Sequence, residues 1–200
     1  RAAGGAPVTA AILRLNRRTF ASLRRHRNYR LFFAGQVISV TGSWMQNIGL
    51  AWLVIELTHS PVAVGGLAFA RFLPFTVLGL FAGVITDRLD YRRLVIATQA
   101  ASMAVSALLT VLVLGDWASL PVVYALAALL GTALVFDAPG RHALTFQMVG
   151  RDELANAVAL NASLFNASRV IGPAVAGVLI AWVGVGACFL VNTVSFLAVL

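Results

Sequence analysis

Gly83-Val84-Ile85-Thr86-Asp87-Arg88-Leu89-Asp90-Tyr91-Arg92-Arg93-Leu94 is the stretch on which the reading of this chain turns. Asp87, Arg88, Asp90, Arg92 and Arg93 crowd into a short turn between two long apolar runs. Charges packed this densely belong at a water interface, whereas the flanking runs suit hydrocarbon. The turn therefore marks where two membrane spans end and on which side.

Composition agrees. The 200 residues are 60% hydrophobic and 11% charged, with a mean hydropathy of +0.89. A soluble domain draws about a quarter of its residues from Asp, Glu, Lys and Arg. The expected class is all-α: a polytopic membrane protein with a cytoplasmic basic segment at 1–30 and a six-helix transmembrane bundle at 31–200.

The net charge of +8 comes from fifteen arginines against seven acids, with no lysine. Eight arginines (Arg1, Arg14, Arg17, Arg18, Arg24, Arg25, Arg27 and Arg30) precede the first apolar run. Juxtamembrane arginines drawn to anionic headgroups explain them better than a nucleic-acid-binding arm, so no nucleic-acid partner is expected. Residues 10–30 read either as an amphipathic surface helix or as a disordered basic tail. The chain starts without Met and stops at Leu200 inside an apolar run, which reads as a piece of a longer protein.

Taken in order, the spans are expected at 31–57, 62–86, 94–114, 120–136 and 154–183, with a sixth from Ala187. The first is striped: Gly35, Gly42, Gly49 and Glu56 recur every seven residues, with Gln36, Ser39, Ser43, Gln46 and Asn47 beside them. Such a face either lines a cavity or packs on other helices. Arg71, near the middle of the second span, costs at least ~2.5–3.5 kcal/mol to insert and needs a partner, for which Glu56 is a candidate. It serves as a structural pair or in a substrate or gating role. Gly79 and Gly83 permit close helix approach. The fourth span is read as ending at Phe136, with 137–153 a polar connection. In the fifth, Asn161, Phe165, Ser168, Arg169 and Gly172 share a side; Gly172-Pro173 is expected to bend the helix, with Gly177 packing at the bend. Arg169, like Arg71, must be paired or hydrated.

The arginines fix orientation. The N-terminal segment, the 83–94 turn and the 137–153 connection carry all of them except Arg71 and Arg169. The positive-inside rule puts these three, and the N-terminus, in the cytoplasm of a multi-pass protein of the cell membrane.

The 83–94 turn resembles the motif that major facilitator superfamily transporters carry between their second and third helices: Gly, three residues, Asp-Arg, one residue, Gly, then basic residues. Gly83, Asp87, Arg88 and Arg92 match it, with Arg93 extending the basic run. Asp90 stands where Gly is usual and Tyr91 where the basic pair begins. Residues 161–177 resemble the fifth helix of the efflux branch that includes enterobactin exporters and macrolide or multidrug efflux proteins. There Gly172, Pro173 and Gly177 partly match the antiporter motif, which normally ends in a double glycine. The likeness covers residues 28–200 and corresponds to the family's N-terminal six-helix half.

The resemblance implies alternating access, with two six-helix halves rocking about a central site. It makes Asp87 a latch acid with Arg88 and Arg92 as its partners; the plainer alternative is a loop that only keeps its arginines inside. Arg169, Gly172, Pro173 and Gly177 form the helix-5 motif. Gln36, Ser43, Asn47, Arg71, Asn161 and Asn166 are the candidate substrate pathway. The implied partners are the bilayer, a small organic substrate such as a siderophore or drug, protons if transport is antiport, and a C-terminal half. A non-transporting scaffold or receptor with the same fold is the alternative. No cofactor is implied. His26, His59, His142 and Cys188 make no metal-ligand spacing, and no nucleophile motif or phosphate loop points to an enzyme.

Overall fold

The computed structural model describes residues 21–200. Regular structure among them is helical: α1 (Ala21–Arg25), α2 (Arg27–Thr58), α3 (Pro61–Thr86), α4 (Tyr91–Leu114), α5 (Leu120–Val183) and α6 (Gly186–Phe196). Residues 10–20 of the expected amphipathic helix lie outside the described residues.

Local chemistry sets the helix ends. His59 takes the left-handed conformation (φ 52°) and its N–H closes α2 on the Ile55 carbonyl at 2.8 Å. Pro61 then opens α3, where its missing N–H costs nothing. Asp90 caps α4 by accepting from the Arg93 N–H at 2.8 Å, which supplies a local reason for an acid where the motif usually has glycine. Asp90→Ala should cost about 1 kcal/mol by thermal unfolding, and Asp90→Ser almost nothing. An equal loss in both variants would show that the acid has some other role.

Helix α5 corrects the expected polar connection at 137–153. Its 64 residues run through Asp137-Ala138-Pro139-Gly140-Arg141 and leave helical geometry only at Gly150 (φ 71°, ψ −175°), a conformation that favours glycine. The first arm (120–149) is about 45 Å long at 1.5 Å per residue, so its polar end lies well beyond Phe136. The second arm (151–183) stays helical through Gly172-Pro173, and the departure from helical geometry falls at Gly150.

The first arm of α5 packs against α2, α3 and α4. Leu50, Leu53, Val54, Leu67, Leu109, Val123, Leu126, Ala127 and Phe189 form the main apolar core. The glycine stripe of α2 lies against the chain's end: a Cβ at Gly42 would meet Asn192 and Ser195, and one at Gly49 would sit 3.1 Å from Cys188 Cβ. The stripe thus serves helix packing, which is the use lipid-embedded helices make of small residues. Gly79, Gly83 and Gly177 have nothing within 4 Å of a Cβ position, so the close approach expected at them is not made among the described residues.

Among the described residues three helices, α3, α4 and α5, are long and apolar enough to cross a membrane. Helix α3 buries little beyond Leu67, Ala82 and Thr86 and leaves Leu80 86% exposed, together with Phe69, Phe72, Phe75 and Phe81. An apolar face of that extent does not stand in water. The chain is an all-helical, multi-pass membrane protein.

Candidate functional site

The polar residues of α2, α4 and α5 meet inside the bundle. Asp137, 4% exposed, accepts from Thr98 Oγ1 at 2.8 Å and Gln99 Nε2 at 2.9 Å through Oδ1. Its Oδ2 accepts from Arg141 Nε one turn on, and Arg141 Nη1 donates to Gln36 Oε1. Gln99 Oε1 in turn accepts from Ser39 at 3.2 Å. Nearby, Gln46 Oε1 accepts from Ser106 Oγ and Asn192 Nδ2, both at 2.6 Å. Water-free interiors demand such pairing, and buried networks hold when nearly every member is satisfied.

Arg71 is not paired with Glu56. Its Nη1 donates to Asn47 Oδ1 on α2, while Glu56 accepts from Trp52 Nε1 at 2.6 Å on its own helix. The Arg71 backbone is pressed onto α5, because a Cβ at Gly131 would overlap the Arg71 carbonyl oxygen. Between these groups lies a cavity of about 70 Å³ lined by Ser43, Asn47, Arg71, Asp137, Arg141 and others.

The expected pathway residues therefore separate. Ser43, Asn47 and Arg71 line the cavity, and Gln36 borders it through Arg141. Asn161 lies elsewhere, accepting from Tyr29 Oη at 3.1 Å in a cluster with Val149, Ala157 and Leu160. Asn166 is exposed and donates to Ala162 O of its own helix at 2.9 Å. Sequence reasoning missed Asp137 and Arg141 as cavity residues, because Pro139-Gly140 between them reads as a turn. Two signals pointed the other way. The pair has i,i+4 spacing, and a span ending at Phe136 is shorter than the ~20 residues a helix needs to cross.

Of the helix-5 motif, Gly172 makes the close contact: a Cβ there would lie 2.6 Å from Trp44 Cβ and 2.9 Å from the Thr41 carbonyl. Ser168 and Thr41 share a hydrogen bond at 3.0 Å. Arg169 is paired with an aromatic face, its guanidinium 5.8 Å from the Trp44 ring centre, while Phe165 meets that ring edge-on. Gly177 borders an open cleft of about 400 Å³ with Ile48, Trp52, Glu56, Ile180 and Ala181.

In the charged turn, Asp87 is exposed and forms no ion pair with Arg88 or Arg92 among the described residues. The pairing implied by the motif is not made. The basic segment at the other end is docked rather than loose over residues 22–29. Ser22 bonds Asn156, Arg25 pairs with Glu153 at 2.7 Å, and Tyr29 is fully buried with its hydroxyl on Ala157 O at 3.2 Å.

Residues 17–200 match the family described as transmembrane secretion effector. The chain belongs to this family of major facilitator proteins. It is 32% identical over 173 residues to the staphyloferrin A transporter of Staphylococcus aureus, covering 86% of this chain and 44% of that one. It is 28% identical to macrolide efflux protein A of Streptococcus pyogenes, over 78% of this chain and 40% of the relative. The multidrug efflux pump Tap of Mycolicibacterium fortuitum is 29% identical, over 72% and 36%. The chain spans less than half the length of these relatives. No solved structure matches it.

Proposed function

We propose that this chain is the N-terminal half of a secondary-active efflux permease that moves a small organic molecule, siderophore-like or drug-like, out of the cytoplasm by alternating access. In this reading residues 31–200 cross the cell membrane six times. The N-terminus and the basic turns face the cytoplasm, and a C-terminal half closes the pathway from the other side. The observation that carries it is the polar cavity between apolar helices, where Ser43, Asn47, Arg71, Asp137 and Arg141 converge. Charged side chains in a bilayer interior mark substrate or ion pathways, since an anchor or scaffold gains nothing from them. The lengths of the relatives support the two-half architecture, and the names of the macrolide efflux protein and of Tap support the efflux direction.

Asp87 is the latch in this reading. Exposed and unpaired within the described half, it is free to meet a helix N-terminus or a cation of the other half when the cytoplasmic side closes. The test is flux of ethidium and erythromycin into inverted vesicles carrying the full-length protein. Asp87→Asn, at normal membrane levels, should lower flux about tenfold. Unchanged flux in both Asp87→Asn and Arg169→Ala would remove the roles given to the turn and to helix 5. Proton exchange is part of the proposal, with Asp137 the most enclosed carboxyl group among the described residues. Flux that persists after a protonophore collapses the pH gradient would overturn that part.

A further inference from the structure

The cavity holds more positive than negative charge, and the excess sits at Arg71. Asp137 is already matched, with Arg141 on one oxygen and Thr98 and Gln99 on the other. Arg71 has no carboxylate opposite it among the described residues; its one hydrogen bond goes to the neutral Asn47. A guanidinium has five N–H donors, so most of its fork remains unfilled. An uncompensated cation in the bilayer interior is costly enough that something must repay it. Its position is also held: the Arg71 carbonyl is wedged against Gly131, and Asn47 steadies one arm of the fork. This is a preorganised donor set with an open face.

We propose that Arg71 and its cavity form a subsite for the carboxylate of an organic anion. The claim rests on the efflux reading above and names the charge of what is carried. The planar fork of arginine matches a carboxylate in two-point geometry. Ser102 lines the same space with a hydroxyl that can turn toward an oxygen, while the Ser43 hydroxyl beside it donates to Ser39 O at 2.9 Å. Beside Gln46, Gln99 and Asn192, the wall is completed by the apolar Leu130, Leu134 and Phe196. A hydrated inorganic anion would forfeit water against these three residues, whereas the apolar body of an organic acid would be at home beside them. A volume of about 70 Å³ admits the carboxylate and the carbons next to it, which meet these residues, and leaves the remainder of the molecule in the pathway. The binding group is one carboxylate; the remainder of the molecule is read by other surfaces.

The experiment uses the purified full-length protein, with benzoate, its neutral isostere benzamide and sodium chloride as probes at equal ionic strength. Benzoate should raise the unfolding temperature in a saturable way, and benzamide and chloride should not. Arg71→Gln should weaken benzoate binding about 10- to 100-fold, the range expected for losing a charge-assisted pair. Arg71→Lys, which keeps the charge, should retain part of the shift. Equal stabilisation by benzamide or chloride would overturn the subsite, as would an unchanged benzoate shift in Arg71→Gln. Should Arg71→Gln fail to fold, the wild-type contrast between benzoate and benzamide decides alone. Flux of ethidium, erythromycin and radiolabelled benzoate into inverted vesicles, measured in parallel, separates the two claims. Flux without benzoate binding keeps the permease and sinks the subsite; Arg71-dependent benzoate binding without flux keeps the subsite and sinks the permease.

Discussion

Asp137→Ala should cost the folded bundle about 3–5 kcal/mol, the largest loss expected for any single side chain described here. Two effects compete to set the size. Interhelical hydrogen bonds in membrane proteins average about 0.6 kcal/mol each, so losing the two that Asp137 accepts from Thr98 and Gln99, together with the one from Arg141 on its own helix, would total roughly 2 kcal/mol. Removing the acid also strands Arg141, whose side chain is only 20% exposed and whose other contact is the neutral Gln36. An uncompensated buried charge carries the greater penalty, and it should dominate. Asp137→Asn should fall between, because its amide oxygen can still accept from Thr98 and Gln99 while the charge is lost. The double variant Asp137→Leu/Arg141→Leu should recover at least half the loss, since removing both partners leaves no stranded ion. Thermal or denaturant unfolding in detergent reads all three. A loss near 2 kcal/mol in Asp137→Ala, with no recovery in the double variant, would show that hydrogen bonds alone set the cost.

Gly131→Ala should be the most damaging change of a single methyl group, at about 2–3 kcal/mol, the upper part of the range for overpacking. The added carbon would overlap the carbonyl oxygen of Arg71, a backbone atom that cannot rotate aside, so α3 and α5 would have to separate. Helix propensity pulls the other way, since alanine is favoured over glycine by about 1 kcal/mol, and it is too small to win here. Gly79→Ala and Gly177→Ala are the matched controls. Neither site has anything within 4 Å of a Cβ, so propensity should prevail and both should be neutral or slightly stabilised. Because Arg71 moves with its backbone, Gly131→Ala should also blunt its hydrogen bond to Asn47 and the binding that depends on it. Stability in Gly131→Ala equal to that of the two controls would contradict the close approach of α3 to α5.

The membrane class, the helical content and the family were legible in the residues themselves, because each rests on local information. Runs of apolar residues announce spans wherever they fold, and arginines mark interfaces whatever they touch. The Gly83–Leu94 turn carries its motif in consecutive positions. The glycine period on α2 announced a special face, though not its use, since packing and cavity lining ask for the same small residues until a neighbour is in place.

Tertiary structure alone decided which polar groups meet. Arg71 lies nearer in sequence to Glu56 than to Asn47, and charge alone favoured the acid; helix crossing put Asn47 beside it instead. Pro139-Gly140 carries local turn chemistry, yet α5 runs through it and turns Asp137 and Arg141 inward, because Thr98, Gln99 and Gln36 wait there on other helices. Tyr29 and Ala157, like Arg25 and Glu153, are far apart in the chain and come together only where the segment after Gly150 folds back over α1 and the start of α2. The physical reason is common to all of these. Burial penalises an unpaired polar group whatever its sequence neighbours, so its partner is whichever group the packing of helices brings within reach.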